Sequence, residues 1–332
     1  MSGFVTALFG CGQIGAGYAA DPRMARHYRY ASHTQVLAEH PAYDWVAAVD
    51  PVEAHAQACA EQYGVAAVKD VAGLADREAI EVAVLATPPG TRRAIIEALP
   101  NLRAVLVEKP LGADLAEARG FAALCKTRGL VAQVNLPRRA DHRHRELVQG
   151  GLTEAVGDVQ GGFMVYGNGL HNNGTHMVDL ARMLLGEVAH ASVPAGSTSF
   201  VGGPLDGDLN TPFSLVMQSD VTVMALPVGF DHYRENAFDI WGTAGRMSLI
   251  SEGLRLCRFE RRENLTTTGA YEIASDQPVA ETTSMGEALY AVHDDLASAL
   301  QSGTTPVSPL DSALETSAVI EAIHEQALAA VA

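Results

Sequence analysis

The chain has 332 residues, of which 48% are hydrophobic and 19% are charged, and its formal net charge is −16. This length predicts two domains, and this composition supplies enough apolar side chains for ordinary packed cores. The excess of 39 Asp and Glu over 23 Lys and Arg argues against nucleic acid as a partner, because binding a phosphate backbone needs clustered cations.

The sequence also argues against secreted and membrane proteins. The amino terminus MSGFVTALFG lacks the basic region of a secretory signal, and no apolar run reaches the roughly 18 residues that span a bilayer. The cysteines are scattered without a C-x-x-C pair, which predicts buried thiols and no disulfide framework. We therefore expect a cytoplasmic protein without a membrane partner.

Short apolar runs alternate with helical segments through the first domain, which is predicted over residues 1–134. Strands are predicted at residues 4–9, 45–49, 82–86, 105–107 and 130–134, and helices directly after a glycine-rich turn at 10–15 and at 53–63, 92–99 and 114–128. Continuous apolar runs are typical of strands covered on both faces. Their alternation with helices predicts an α/β domain with a parallel, doubly wound sheet.

The second domain, predicted over residues 135–332, shows longer strands joined by turns. Strands are predicted at residues 159–166, 213–218, 221–227, 238–242 and 247–251, and helices at 146–150, 175–185, 285–301 and 309–331. This pattern predicts an α+β domain with an antiparallel sheet. The stretch 196–210, rich in Gly, Ser, Pro and Asp, is predicted to be a mobile loop.

The segment GCGQIG at residues 10–15 matches G-x-G-x-x-G between a predicted strand and a predicted helix. In a dinucleotide site the first glycine permits a tight turn, the second lets the backbone approach a pyrophosphate, and the third lets the helix pack on the strand. The alternative is a glycine-rich turn without a ligand. The predicted cofactor residues of this motif are Gly10, Gly12, Gln13, Ile14 and Gly15.

Asp50 ends the second predicted strand, where a carboxylate can accept hydrogen bonds from the adenosine ribose and would repel a 2′-phosphate. The sequence therefore favours NAD(H) over NADP(H). The interval from the glycine motif exceeds the usual value of about 20 residues, which predicts an insertion over residues 21–33. The alternative role for Asp50 is a helix N-cap.

Alcohol oxidation needs a hydride acceptor, which nicotinamide supplies, and a protein group that takes the hydroxyl proton. Lys109 lies at the carboxyl end of a predicted strand, where open α/β sheets bind their ligands. A lysine at a strand end is more often simply solvated, so a catalytic role for Lys109 has to be argued from the motif around it. The strand-end residues predicted to contact the cofactor are Thr87, Pro88, Glu108 and Lys109.

Three motifs occur in order: Glu108-Lys109-Pro110, a G-x-H-x-x-D segment at residues 174–179, and WGTAG at 241–245. Together they resemble the Gfo/Idh/MocA family, the glucose–fructose oxidoreductase and inositol dehydrogenase group, over essentially the whole chain. The resemblance implies a Rossmann domain and a second domain whose large open sheet covers the nicotinamide and receives a sugar, inositol or nucleotide-activated sugar. It also implies that Lys109 contacts substrate and assists proton transfer, and that His176 acts as acid or base.

Two positions depart from this resemblance. Asn172 stands where many polyol dehydrogenases of the family have aspartate; an amide can orient a hydroxyl but cannot act as a base. Arg92 stands where many relatives have histidine.

Asn135 and Arg138 follow the last predicted strand, where family members often place groups near substrate. An arginine there suits a densely hydroxylated or anionic ligand. Arg138 could equally be a solvated charge.

No metal is predicted. His171 and His176 with Asp179 fit a shared ion poorly, because helical metal ligands are spaced i, i+4 and these histidines are five apart. His142 and His144 are predicted on a solvated basic helix face, and the alternative is that one of them contacts substrate.

The leading hypothesis is an NAD(H)-dependent oxidoreductase acting on a secondary alcohol or ketone of a carbohydrate or polyol. The resemblance also suggests a glycoside hydrolase that uses NAD transiently, and a non-catalytic NAD-binding regulator. Retention of Lys109 and His176 argues against the regulator. Family members often associate through the second domain, so a homodimer or homotetramer is expected.

Overall fold

A computed structural model describes residues 3–331, so residues 1, 2 and 332 of the predicted domains lie outside the described part. The chain divides into two compact units, Met1–Ala140 with Met285–Glu315, and Asp141–Ser284 with Thr316–Ala332. The single boundary predicted between residues 134 and 135 differs from this division. The reason is that residues 285–315 return to the first unit, where Val292 and Leu296 join the core beneath the parallel sheet.

The first unit contains a six-stranded, fully parallel sheet in the order β3-β2-β1-β4-β5-β6. Its strands are β1 (Phe4–Phe9), β2 (Tyr43–Val49), β3 (Ala66–Val68), β4 (Val82–Leu85), β5 (Ala104–Val107) and β6 (Val131–Val134). Every residue of β4 and β5 is buried, as continuous apolar runs require. The predicted doubly wound sheet is confirmed. The sequence missed β3, because its two alanines are exposed and form no apolar pattern.

Four helices flank this sheet in the first part of the chain. They are α1 (His33–Glu39), α2 (Glu53–Tyr63), α3 (Pro89–Glu97) and α4 (Leu115–Thr127). Gly64 ends α2 in the left-handed conformation with φ 74°, which glycine adopts without strain. The Asp114 carboxylate begins α4 by accepting a hydrogen bond from the Glu117 backbone N–H. The end of α2 at Gly64 and the start of α4 at Asp114 are the boundaries that the sequence predicts.

The helix predicted directly after the glycine motif is wrong in its position. Residues 16–32 leave the expected path in turns and short 3₁₀ segments. Helix α1 then continues from the end of the glycine motif. The backbone N–H groups of His33 and Thr34 donate to the carbonyls of Ile14 and Gly15, both at 3.0 Å. The chain therefore inserts an excursion into the first turn of a Rossmann helix.

The second unit is built on a large mixed sheet in the order β16-β15-β14-β13-β7-β12-β11-β8, with β17 paired to β15. Only β7 and β12 run parallel among its described pairs, so the predominantly antiparallel sheet is confirmed. Its strands are β7 (Val159–Tyr166), β8 (Val188–Ser192), the separate hairpin β9 (Phe200–Val201) and β10 (Leu209–Asn210), β11 (Phe213–Met217), β12 (Thr222–Pro227), β13 (Ala237–Gly242), β14 (Gly245–Ile250), β15 (Arg255–Glu263), β16 (Tyr271–Ile273) and β17 (Val279–Thr282).

Three helices precede or cover this sheet, and two follow it in the chain. They are α5 (His142–Glu146), α6 (Leu152–Val156), α7 (Thr175–Leu185), α8 (Ala288–Ser302) and α9 (Leu310–Val331). The second core joins Met177 and Val178 of α7 to Ile320 and Ile323 of α9 and to the apolar face of the sheet. Among residues 3–331, no helix is both long and apolar enough to cross a membrane.

Candidate active site

The glycine turn of residues 10–15 has the shape of a pyrophosphate cradle. Gly10 has φ +93°, and a Cβ there would lie 2.3 Å from the Ala86 carbonyl oxygen. A Cβ on Gly15 would lie 2.1 Å from the Gly10 carbonyl oxygen, whereas a Cβ on Gly12 would meet nothing within 4 Å. Packing therefore requires the first and third glycines, and the second leaves the open backbone that a close ligand needs.

We expect Gly12→Ala to leave the fold intact and to weaken NAD(H) binding. The added methyl group meets no protein atom within 4 Å, so stability should stay within about 0.5 kcal/mol, while the methyl occupies the approach of the pyrophosphate and lowers affinity at least about tenfold. Melting temperature and NADH fluorescence titration measure the two effects. Gly120→Ala, on the open side of α4, is the matched control and should bind NADH normally; equal binding by both variants would contradict the cradle.

Asp50 is buried at the end of β2 against the same turn. Its Oδ2 accepts a hydrogen bond from the Cys11 backbone N–H at 2.7 Å, and its Oδ1 accepts one from Val52 N–H at 2.8 Å. The His55 ring lies 3.4 Å from Oδ1. Asp50 is not the N-cap of α2, since Val52 occupies that position. The carboxylate therefore fixes the glycine turn from the strand end where a ribose reader was predicted.

The end of β4 contributes a buried polar atom with no hydrogen-bond partner among residues 3–331, the Thr87 hydroxyl. Its methyl group would lie 3.2 Å from a Cβ on Gly10, which places Thr87 beside the cradle. Buried hydroxyls normally have a partner, so an unpaired one fits a position that a ligand completes. Pro88 follows as an exposed residue before α3, Gln13 is exposed, and Ile14 packs against a small cluster around Tyr30.

Glu108, at the end of β5, is buried in a hydrogen-bonded network. Its Oε1 lies 3.0 Å from His33 Nε2 and accepts a hydrogen bond from Asn135 Nδ2. Burial alone would raise the pKa of the Glu108 carboxyl, but the hydrogen bonds from His33 and Asn135 and the charge of Lys109 hold it below its ordinary value. The Asn135 Oδ1 is buried without a partner among the described residues, so this amide oxygen has room for one more donor.

His33 also contacts His293 of α8, with 2.8 Å between His33 Nδ1 and His293 Nε2. The Tyr43 hydroxyl donates to the His293 backbone carbonyl at 2.7 Å. Burial first, and the neighbouring His33 and His40 second, place the pKa of His293 well below its ordinary value. His293 is therefore the neutral end of a histidine pair that holds Glu108.

This depressed pKa predicts a pH-dependent stability. The unfolded chain protonates His293 near its ordinary pKa of about 6.5, whereas the folded chain resists, so unfolding takes up a proton and the free energy of unfolding falls as the pH drops below about 6.5. The contribution reaches at most about 1.4 kcal/mol per pH unit. Urea denaturation at several pH values from 8 to 5 should show a flatter dependence for His293→Gln. His27→Gln, at an exposed histidine, should keep the wild-type slope, and parallel curves for wild type and His293→Gln would reject the prediction.

Arg92 of α3 is 1% exposed and connects the two strand-end segments. Its Nη2 donates to the Thr87 carbonyl at 2.8 Å, and its Nη1 donates to the carbonyls of Pro110 at 2.7 Å and Leu111 at 3.2 Å. Burial lowers its pKa to about 10, although Glu108 and Glu117 oppose the shift. The arginine stays charged at neutral pH and holds the segments on either side of the predicted cofactor site.

Lys109 is partly exposed and follows β5, and the Lys109–Pro110 peptide bond is cis. Arg138 is 7% exposed in a 3₁₀ turn, Pro137–Arg139, after β6. The buried position of Arg138 argues against the solvated charge that was the alternative. The predicted cofactor residues, together with Lys109, Asn135 and Arg138, therefore all belong to the first unit.

The remaining predicted site residues, Asn172 and His176, belong to the second unit. Asn172 lies in the turn Leu170–Gly174, and His176 lies partly exposed in the first turn of α7. The Asp208 carboxylate accepts hydrogen bonds from the backbone N–H groups of His171 at 3.0 Å and Asn172 at 3.1 Å. Asp208 is 3% exposed, so the carboxyl-terminal end of the predicted mobile loop 196–210 is instead anchored to this turn.

Asp179 of the G-x-H-x-x-D segment has a structural role. Its Oδ1 accepts a hydrogen bond from the Thr316 hydroxyl at 3.2 Å, and Arg182 donates to the same hydroxyl at 2.7 Å. These contacts connect α7 to α9.

The prediction that both histidines of α5 lie on a solvated face is wrong for one of them. His142 is exposed, but His144 is fully buried, and its backbone N–H donates to the Asp141 carboxylate at 2.7 Å.

Comparisons with known proteins agree with this fold. Residues 9–136 match the Gfo/Idh/MocA family, described as an oxidoreductase family with an NAD-binding Rossmann fold. A dTDP-3,4-didehydro-2,6-dideoxy-α-D-glucose 3-reductase from Saccharopolyspora spinosa is 27% identical over 256 residues, which cover 71% of this chain and 73% of the relative.

Two solved structures share the architecture over nearly the whole chain. An oxidoreductase from Agrobacterium radiobacter in complex with NAD+, L-tartaric acid and magnesium has a TM-score of 0.72 at 20% identity, covering 98% of this chain and 96% of the other. A 3-ketoreductase from Actinomadura kijaniata in complex with NADP and TDP-benzene has a TM-score of 0.71 at 16% identity, covering 98% of each chain. At these identities the likeness is one of fold.

Proposed function

We propose that this chain, an NAD(P)-dependent oxidoreductase whose residues 9–136 match the Gfo/Idh/MocA family, transfers hydride between nicotinamide and a secondary alcohol or ketone of a sugar or nucleotide-activated sugar. The observation that carries the proposal is the glycine cradle. Packing leaves no room for a Cβ on Gly10 or Gly15, whereas the space beside Gly12, the second glycine of the motif, is open. Lys109 follows a strand at the same carboxyl edge of the sheet, where doubly wound sheets bind their ligands.

The described residues fit a bound dinucleotide. The backbone of Gly12 would receive the pyrophosphate, and the unpaired Thr87 hydroxyl supplies a polar contact beside it. Asp50 would take the ribose hydroxyls with the lone pairs that Cys11 and Val52 leave available, since a carboxylate accepts about four hydrogen bonds. When bound, nicotinamide supplies the hydride acceptor or donor. The negative charge of Asp50 favours NAD(H), because it repels a 2′-phosphate.

The proton chemistry falls to Lys109 and His176. In the oxidative direction a hydroxyl loses its proton as the carbonyl forms, and in the reductive direction the oxygen gains one. Lys109 would hold the substrate oxygen and exchange this proton at Nζ, while Glu108 beside it carries the compensating negative charge. His176 would act as the second acid or base. The amides of Asn135 and Asn172 and the guanidinium of Arg138 would orient the other hydroxyl groups.

The substrate class is proposed from the relatives and from the side chains. The Saccharopolyspora spinosa relative is named for a dTDP-linked keto sugar, and the Actinomadura kijaniata structure contains TDP-benzene. Amides and a guanidinium suit a densely hydroxylated ligand in this chain. Asn172 is an amide and cannot exchange a proton, so among the residues proposed to contact substrate this role is assigned to Lys109 and His176.

The test begins with the nucleotide. Purified protein is denatured and any released nucleotide is identified by mass; stripped protein is then titrated with NAD(H) and NADP(H). We expect tighter binding of NAD(H), followed by NADH-linked turnover with a member of a panel containing myo-inositol, free hexoses and dTDP-hexoses. Cleavage of a nitrophenyl glycoside without net NADH would instead indicate the hydrolase. Binding without turnover of either kind would indicate the regulator, and no nucleotide binding at all would overturn the proposal.

A further inference from the structure

Three side chains that can bind a metal converge in the second unit. His171 lies in the turn before α7, and Glu321 and His324 lie one turn apart on α9. One candidate ligand atom from each lies within 4.8 Å of those of the other two. The His171 and His324 rings meet edge to face with 4.7 Å between centroids, and His324 Nδ1 lies 4.0 Å from Glu321 Oε1.

The spacing of this cluster is close to that of a zinc site. Zinc binds imidazole nitrogen and carboxylate oxygen at about 2.0–2.2 Å, so tetrahedral ligand atoms lie roughly 3.4 Å apart. Small side-chain rotations of Glu321 and His324 bring atoms now within 4.8 Å to that separation. The i, i+3 arrangement keeps both side chains on one face of α9.

Charge and exposure also suit a cation. Glu321 supplies one negative charge, and Asp208, hydrogen-bonded to the backbone of His171, supplies a second beside the cluster, which matches a divalent ion. The Glu321 and His324 side chains are 28% and 23% exposed, so an ion can reach the site and keep a water ligand. Two imidazoles with one carboxylate favour zinc and neighbouring transition metals over magnesium and calcium, which prefer oxygen.

We propose that His171, Glu321 and His324 bind one divalent transition-metal ion, zinc above all, with at least one position open to water. The ion connects the turn that carries Asn172 to α9 and thereby fixes that turn ahead of α7. The site involves neither His176 nor Asp179, the partners that the spacing argument considered for His171. It does not rest on the hydride-transfer proposal, because none of its three ligands is assigned a part in that chemistry.

The first test measures zinc binding to the full chain. Metal-free wild type is titrated with Zn²⁺ by calorimetry, and dialysed protein is analysed for bound zinc. We expect one zinc per chain, with His324→Ala and Glu321→Gln each weakening binding at least about tenfold, as loss of a ligand should at minimum match the effect of losing a second-shell partner. His190→Ala removes an exposed histidine on β8 and should bind as wild type does.

Two further readouts separate a site from a folding defect. Circular dichroism and melting of the metal-free proteins establish that the variants fold. Zn²⁺ should then raise the melting temperature of wild type and His190→Ala but not of His324→Ala, and Co²⁺ should give visible ligand-field absorption that His324→Ala lacks. Equal zinc affinity in wild type, His324→Ala and Glu321→Gln, or the absence of zinc binding by wild type, would overturn the proposal.

Discussion

Lys109→Ala should lower kcat by about 10²–10⁴-fold, the usual contribution of a positioned acid or base, while NADH still binds. The reason is that Lys109 follows β5 at the carboxyl edge of the sheet, whereas the glycine cradle that is proposed to hold the dinucleotide lies on another segment of the chain. Steady-state kinetics with the substrate found in the panel, and NADH titration of the same variant, measure the two effects.

Lys126→Ala is the matched control, since Lys126 is an exposed lysine near the end of α4 and should retain full activity. Lys109→Arg keeps the charge but places a planar guanidinium, which does not deprotonate, where a point charge is needed, so it should not restore kcat. Wild-type kcat in Lys109→Ala would remove this residue from the proton chemistry. Failure to bind NADH would show that the predicted contact of Lys109 with the cofactor is essential for binding, and the expected separation of the two effects would be wrong.

Arg92→Ala should lower the free energy of unfolding by about 3–5 kcal/mol. The substitution removes a buried guanidinium, so the carbonyls of Thr87, Pro110 and Leu111 lose the hydrogen-bond donor that it supplies. For a protein of this size that loss corresponds to a fall of about 10 °C in melting temperature. Because Arg92 holds the segments that carry Thr87 and Lys109, we also expect weaker NADH binding. Thermal melts and NADH titration below the new melting temperature test both effects.

The neighbouring Arg93 provides the comparison. It is 60% exposed and forms an i,i+4 ion pair with Glu97 at 3.0 Å, an interaction worth only about 0.3–0.5 kcal/mol. Arg93→Ala should therefore melt within about 2 °C of wild type. If Arg92→Ala is as stable as Arg93→Ala, the carbonyl contacts of Arg92 contribute little and its positioning role is wrong.

The elements that sequence could predict are those with a strong local cause. Continuous apolar runs predicted β1 and β4, and the glycine at position 64 correctly marked the end of α2. β15 was missed because charged residues interrupt its apolar pattern over Arg255–Glu263. The helix after the glycine motif was misplaced. The long interval to Asp50 predicted an insertion over residues 21–33, but nothing in residues 16–32 indicates that α1 returns to the same turn.

The candidate site likewise contains residues that a local motif predicts and residues that only the folded chain brings together. Motif spacing predicted the glycine turn, whose close packing around Gly10 and Gly15 the structure shows, and it predicted roles for Lys109 and Asn172 that stay predictions. Arg92 was noted only as a departure, because its role depends on carbonyls of a segment that follows β5. His33 and His293 lie far apart in sequence and meet only in the folded first unit, so no local pattern could pair them.

The division of the chain into units also constrains how the protein is made. The first unit is completed by Met285–Glu315 and the second by residues from Thr316 onward, including Ile320 and Ile323 of its core. A nascent chain that has just emerged through Ser284 therefore lacks a part of each unit. Neither unit can therefore reach its final stability before the segment that completes it has been synthesised, whereas in a chain of sequential, self-contained domains the first can fold while the second is still being made.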